Sequence, residues 1–253
     1  MGGALLRGWL ASGAVDRPIV VDPARPSLPQ GVTVVPDLSK VVDPLPRTIV
    51  LAVKPQMMDG VTAALRPRLP RGALVISIAA GKTLDYFAKQ LGEAVSVIRT
   101  MPNTPASIGR GVSACCPGPS VANVQRETTE TLLRAVGDVA WVEDESLMHA
   151  VTALSGSGPA YVFLLIEAMA EAGRAAGLPA PLAAQLARAT VAGAGELARL
   201  SADDPAKLRA DVTSPNGTTA AALAVLMASP GLSDLMRRAV EAAAARSAEL
   251  AAG

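Results

Sequence analysis

The stretch Asp211 to Thr219 reads DVTSPNGTT and gathers the hydroxyls of Ser214, Thr218 and Thr219 around Pro215, Asn216 and Gly217. Pro215 ends any incoming helix, because its ring removes a donor and clashes with the preceding turn. Asn216-Gly217 is a pair that readily takes positive φ. The following residues, Thr218 to Met227, are rich in strong helix formers. A helix there would open with backbone N–H groups that have no intrahelical acceptor. Hydroxyls beside free amides make a cup for a small anion, either a carboxylate or a phosphate. Read alone, the stretch is first a loop with a Ser or Thr helix cap, and second an anion site. The rest of the chain has to decide.

A second set of polar residues follows apolar, β-branched runs. Asp22-Pro23 closes Ile19 to Val21, Lys54-Pro55-Gln56 closes Thr48 to Val53, Ala80-Gly81-Lys82 follows Leu74 to Ile78, and Met101 to Pro105 follows Val95 to Arg99. Continuous runs of this kind are strands covered on both faces, and a parallel sheet binds its ligand beyond their carboxyl ends. An acidic residue about 20 positions after a glycine turn hydrogen-bonds an adenosine ribose. Asp22 follows Gly2 by 20 positions, while Arg25 close behind could instead meet a 2′-phosphate. NAD and NADP both stay open. The fingerprint itself is incomplete: Met1-Gly2-Gly3 begins where a G-x-G-x-x-G turn should end, so Gly2 reads as its third glycine and the first strand is absent. Either the true start lies upstream, which is the favoured reading, or this copy binds dinucleotide poorly.

The elements that must carry these residues fall into two halves. Through about residue 145 helices alternate with strands: Gly2 to Ser12 helical and closed by Gly13, strands at Ile19 to Val21, Val32 to Val35, Thr48 to Val53, Leu74 to Ile78 and Val95 to Arg99. Edge strands are expected at Val112 to Cys115 and Val139 to Val142, with a helix from Val121 to Val136 between them. This predicts an α/β, Rossmann-like, doubly wound and mostly parallel sheet over 1–145. Residues 146–253 are dense in Ala, Leu, Arg and Glu and predict an all-α domain, with helices over Ser146 to Ala176, Pro181 to Leu200 and Gly231 to Leu250. Ser155-Gly156-Ser157-Gly158-Pro159 interrupts the first of these, and Pro159 should kink or break it. So few large side chains fill a helical core poorly, and a second copy of the chain is the simplest cover.

Composition excludes several classes. The net charge is +1 and the aromatic content only 2%, with Lys and Arg scattered, so there is no basic stripe for nucleic acid. Cys115 and Cys116 are adjacent and His149 is the only histidine, which leaves no metal site and no disulfide across the fold. The cysteines read as buried small apolar residues in a reducing cytoplasm. No run of about 18 uninterrupted apolar residues predicts a membrane span, and no signal peptide is read at the N-terminus.

The runs LAVKPQ (Leu51 to Gln56), SIAAG (Ser77 to Gly81), MPNTP (Met101 to Pro105), ALSGSGPAYVF (Ala153 to Phe163) and VTSPNGTT (Val212 to Thr219) resemble, in order and over essentially the whole chain, those of the pyrroline-5-carboxylate reductases. The resemblance implies reduction of 1-pyrroline-5-carboxylate to L-proline with NADPH or NADH, and an interlocked homodimer, often in rings of dimers. It places dinucleotide contacts on Ala52, Val53, Lys54 and Pro55, with Asn103 and Thr104 near the nicotinamide. It places the substrate carboxylate in the cup of Ser214, Asn216, Gly217, Thr218 and Thr219. Thr219, Ser214 or a water would supply the proton. The family usually has glycine where this chain has Asn216, and an acidic residue near His149, which therefore reads as structural or solvent-facing. A related imine or β-hydroxyacid oxidoreductase and an inactive helical dimer or ligand-binding protein are the other readings.

Overall fold

The computed structural model describes residues 1–252, which pack as two compact units: 1–156 with the C-terminal residues from 243 on, and 157–242. The packing boundary falls at Gly156/Ser157, beyond the 145/146 division expected from composition. The reason is that the turns over 145–156 pack on the strands of the first unit rather than on the helices that follow.

The first unit opens with helix α1 (Gly2–Ser12), closed by Gly13 at φ 69° as its position after the last apolar turn predicts. Strands β1 (Ile19–Val21) and β2 (Thr33–Val35) pair in parallel as a small sheet of their own. β3 (Thr48–Leu51), helix α2 (Met58–Leu65), β4 (Leu74–Ser77), helix α3 (Leu84–Leu91), β5 (Ser96–Pro102), β6 (Gly111–Pro117), helix α4 (Asn123–Arg134) and β7 (Gly137–Trp141) complete the alternation. The larger sheet has the order β3-β4-β5-β6-β7. The strands are therefore mostly parallel, as expected, but divided between two sheets.

One expectation is corrected. β6 is not an edge strand: it lies between β5 and β7, antiparallel to β5 with Met101 opposite Ala114, and parallel to β7. The connection after β5 is too short for a crossover helix. A 3₁₀ turn over Thr104–Ile108 and the left-handed Gly109 send the chain straight back, and a direct return gives an antiparallel pair.

The sheet carries an aliphatic core on each face, one around Met58, Val75 and Phe87 and one around Leu5, Ile76 and Ile98. Within it Arg99, whose side chain is only 5% exposed, meets Glu145 at 2.7 Å. The same Glu145 oxygen accepts from the Leu84 amide at 2.8 Å, so one carboxylate ties β5 to the start of α3. Cys115 and Cys116 are free and buried on β6, as the composition implied. Desolvation pushes the Cys115 thiol up to about 12 and that of Cys116 to about 11. Only the thiolate is nucleophilic, so the native chain should take up no iodoacetamide at pH 8 while the denatured chain takes up two equivalents; fast labelling of the native chain would refute this burial. Because burial raises both values, their stabilisation is complete below the ordinary thiol value and is lost as pH rises from about 9 toward 12.

A 3₁₀ turn (Glu145–Leu147), helix α5 (Met148–Val151) and a π-helical turn (Thr152–Gly156) follow β7. His149 takes the structural role: its Nδ1 lies 3.0 Å from Ser247 Oγ, near the chain's C-terminal end.

The second unit holds α6 (Gly158–Ala175), α7 (Ala180–Leu200), α8 (Pro205–Asp211), α9 (Thr218–Leu226) and most of α10 (Leu232–Ala252). Pro159 sits in the first turn of α6, so it starts that helix instead of kinking a longer one. α8 was not foreseen, although Asp204-Pro205 is a clear start signal: Asp204 caps the Lys207 amide at 2.9 Å and Pro205 takes the first turn. Val162, Phe163, Leu164 and Leu165 on α6 all stand exposed, Phe163 by 58%. The helical run Glu145–Ala175 is by length and composition apolar enough to cross a membrane once a charged residue or two is allowed, which the requirement of an uninterrupted apolar run passed over.

Candidate functional site

The polar residues at the strand ends converge in part. Gly2, the first residue of α1, lies against the end of β3: a Cβ placed on it would come within 3.0 Å of Ala52 Cβ. Glycine is what lets the helix start approach the strand end this closely. Ala52, Val53, Lys54 and Pro55 then form the turn that leaves β3, with the Lys54 carbonyl accepting from the Met57 amide at 2.9 Å. A shallow hollow of about 330 Å³ is lined by Met1, Gly3, Ala4, Arg7, Thr104 and Ser107. The first turn of α1 and the turn after β5 therefore face one space. Helix starts carry free N–H groups and a partial positive charge, which suits phosphate.

Asn103 is fixed from both ends of its amide. Its Oδ1 accepts from the Val112 amide at 3.0 Å, and its Nδ2 donates to the Ser155 carbonyl at 3.4 Å. Thr104 begins the 3₁₀ turn and is exposed. Asp22 directly follows β1, where its Oδ1 accepts from the Ala24 amide at 2.9 Å. Arg25 follows in a left-handed conformation, φ 47°. The π-helical turn at Thr152–Gly156 was read from the sequence only as a helix break. Its signal was the SGSG run itself, and π turns inside helices often mark functional sites.

The cup lies in the second unit, apart from these loops in the division of the chain. Thr213 Oγ1 donates to the Arg209 carbonyl at 2.6 Å, which anchors the loop to α8. The Gly217 amide donates to the Ser214 carbonyl at 3.0 Å, closing a turn in which Asn216 takes φ 57°. Asparagine tolerates that left-handed conformation better than most residues, so the turn stands without the second glycine. Gly217 itself is extended, at φ −81° and ψ 174°, and is the residue that precedes α9. A Cβ there would meet the Ser214 carbonyl oxygen at 3.1 Å. The residue at the cap thus has no side chain, and no side-chain cap closes the start of α9. Ser214 and Thr218 are exposed and Thr219 is half-buried. Ser214, Thr218 and Thr219 thus flank, in sequence, a helix start that has no side-chain cap.

Among the described residues no cluster of His, Cys, Asp and Glu is suited to a metal ion.

Two family models match the chain. The family model for pyrroline-5-carboxylate reductase dimerisation matches residues 145–250, and that for coenzyme F420-dependent NADP oxidoreductases matches residues 1–81. The chain is 46% identical to a pyrroline-5-carboxylate reductase of Pseudomonas aeruginosa over 203 residues, 80% of this chain and 74% of that one. The solved pyrroline-5-carboxylate reductase of Coxiella burnetii superposes with a TM-score of 0.90 at 36% identity, covering 98% of this chain and 93% of that chain. The Plasmodium falciparum pyrroline carboxylate reductase with NADP bound superposes with a TM-score of 0.83 at 27% identity, covering 99% and 94%.

Proposed function

For a chain that thus belongs to the pyrroline-5-carboxylate reductase family, we propose that the loop between α8 and α9 holds the substrate carboxylate and the strand-end loops of the first unit hold the dinucleotide. The enzyme reduces 1-pyrroline-5-carboxylate to L-proline with NAD(P)H, the last step of proline synthesis. One observation carries the substrate assignment: α9 begins after a glycine, with no side-chain cap, beside Ser214, Thr218 and Thr219. Asn216 supplies the turn that presents them.

The residues present fit the cofactor. Gly2 against Ala52 keeps clear the approach to the start of α1, Arg7 lines the hollow beside it, and Lys54 and Asp22 would meet the phosphates and a ribose hydroxyl on the sequence reading. When bound, the reduced nicotinamide supplies a hydride to the imine carbon. Asn103 and Thr104 orient its ring, and their rigidity follows from the two hydrogen bonds of Asn103. The cup fixes the other reactant through its carboxylate, and orientation of this kind accounts for a large share of such catalysis. Thr219, less exposed than Ser214 or Thr218, is the first candidate to supply the proton to the imine nitrogen, with Ser214 or a water as the alternatives.

The helical half, taken as 146–253, serves as substrate-binding and dimerisation domain, in keeping with the matched family model. The exposed apolar side chains of α6 support a homodimer, and assembly of dimers into rings extends the same reading. Free buried cysteines suit a cytoplasmic setting.

The cup is tested with the product. L-Proline should inhibit competitively against pyrroline-5-carboxylate and pyrrolidine, which lacks the carboxylate, should inhibit far less. Ser214→Ala should shrink that difference about tenfold, the loss expected for a hydrogen bond to a charged group. An unchanged preference for L-proline would place the carboxylate elsewhere.

A further inference from the structure

The π-helical turn holds a group that the reading above leaves idle. Ser155 Oγ is buried with no hydrogen-bond partner, and among the described residues no other side-chain nitrogen or oxygen is left so. Buried hydroxyls are nearly always paired, so each exception calls for a reason. In a regular helix a serine hydroxyl reaches back to the carbonyl four residues earlier. Thr152, at the start of the same turn, does this to the Met148 carbonyl at 2.7 Å. At Ser155, inside the π-helical turn, the hydroxyl has no such partner.

The turn is held rigidly where it lies. The Ser155 carbonyl accepts from Asn103 Nδ2, and Gly156 is packed so tightly on the end of β5 that a Cβ there would come within 2.5 Å of Met101 Cε. The unpaired hydroxyl therefore belongs to the residue that braces the Met101-Pro102-Asn103-Thr104 loop. We infer that Ser155 Oγ is kept for the bound dinucleotide and donates to the carboxamide oxygen of its nicotinamide, setting the orientation of the ring. The inference rests on the assignment of Asn103 and Thr104 to the nicotinamide end. Pairing needs only a turn about χ1 of a small side chain, and the hydroxyl gains in the complex the partner it lacks without it.

The test reads binding and stability as well as turnover. Ser155→Ala should leave the melting temperature of the cofactor-free protein unchanged or raise it, since the variant removes an unsatisfied group. Its Kd for NADPH, followed by fluorescence, should rise roughly three- to tenfold, the range for a neutral hydrogen bond. With thionicotinamide NADPH, whose sulfur is a poor acceptor, the same substitution should change Kd by less than twofold. An equal penalty with both cofactors, no penalty with either, or a lowered melting temperature would each overturn the inference. Asn103→Ala separates this from the underlying assignment: if that variant binds NADPH normally, it is the nicotinamide-end reading that fails.

Discussion

Thr219→Ala raises the KM for pyrroline-5-carboxylate by roughly ten- to a hundredfold, because a hydrogen bond to a charged group contributes about 1.5–3 kcal/mol. The KM for NADPH should stay within about twofold, since the proposed role of the Thr219 hydroxyl is a hydrogen bond to the substrate carboxylate and not to the dinucleotide. Thr219 is in the first turn of α9 and half-buried, whereas Ser214 and Thr218 are exposed. Thr219→Ser keeps the hydroxyl and should recover most of the loss. If kcat falls in Thr219→Ala and returns in Thr219→Ser, the same hydroxyl also delivers the proton. Steady-state kinetics in both substrates decide the matter: a rise confined to the KM for NADPH would sink the carboxylate assignment.

The largest loss of stability is expected at Glu145→Ala. Arg99 is almost wholly buried, and Glu145 is its ion-pair partner at 2.7 Å while also capping the Leu84 amide at 2.8 Å. Removing the carboxylate strands a buried guanidinium, which costs about 3 kcal/mol given that Glu145 keeps some exposure. For a chain of this size that lowers Tm by roughly 6–12 °C. The double variant Arg99→Met/Glu145→Leu should recover much of the difference, because an apolar pair carries no desolvation penalty. Equal Tm for Glu145→Ala and the parent chain in thermal melts would show that the pair contributes nothing. None of the cup residues is involved, so substrate affinity at low temperature should be close to normal.

The elements were legible where one period or one stop residue dominated. Gly13 ends α1 and Val50-Leu51 lies in a strand because local chemistry permits little else there. α8 was missed although Asp204-Pro205 announced it, since a helix of seven residues has too few turns to show a periodic face. The place of β6 was misread for a different reason. Its residues look like those of any strand, and only the tight return at Gly109 decides that it runs between β5 and β7.

The site divides in the same way. The sequence by itself pointed to the residues proposed for the chemistry: Ser214, Asn216, Gly217, Thr218 and Thr219 as a candidate anion cup, and the loop of Asn103 and Thr104 at a strand end. Hydroxyls, a turn-forming Asn-Gly pair and strand-loop patterning are local properties, and they are written in neighbouring residues. Tertiary structure alone decided that Gly2 touches Ala52. It also decided that Asn103 braces the turn of Ser155. Those facts depend on the path of the backbone between residues far apart in the chain, and no spacing of side chains along a sequence encodes them.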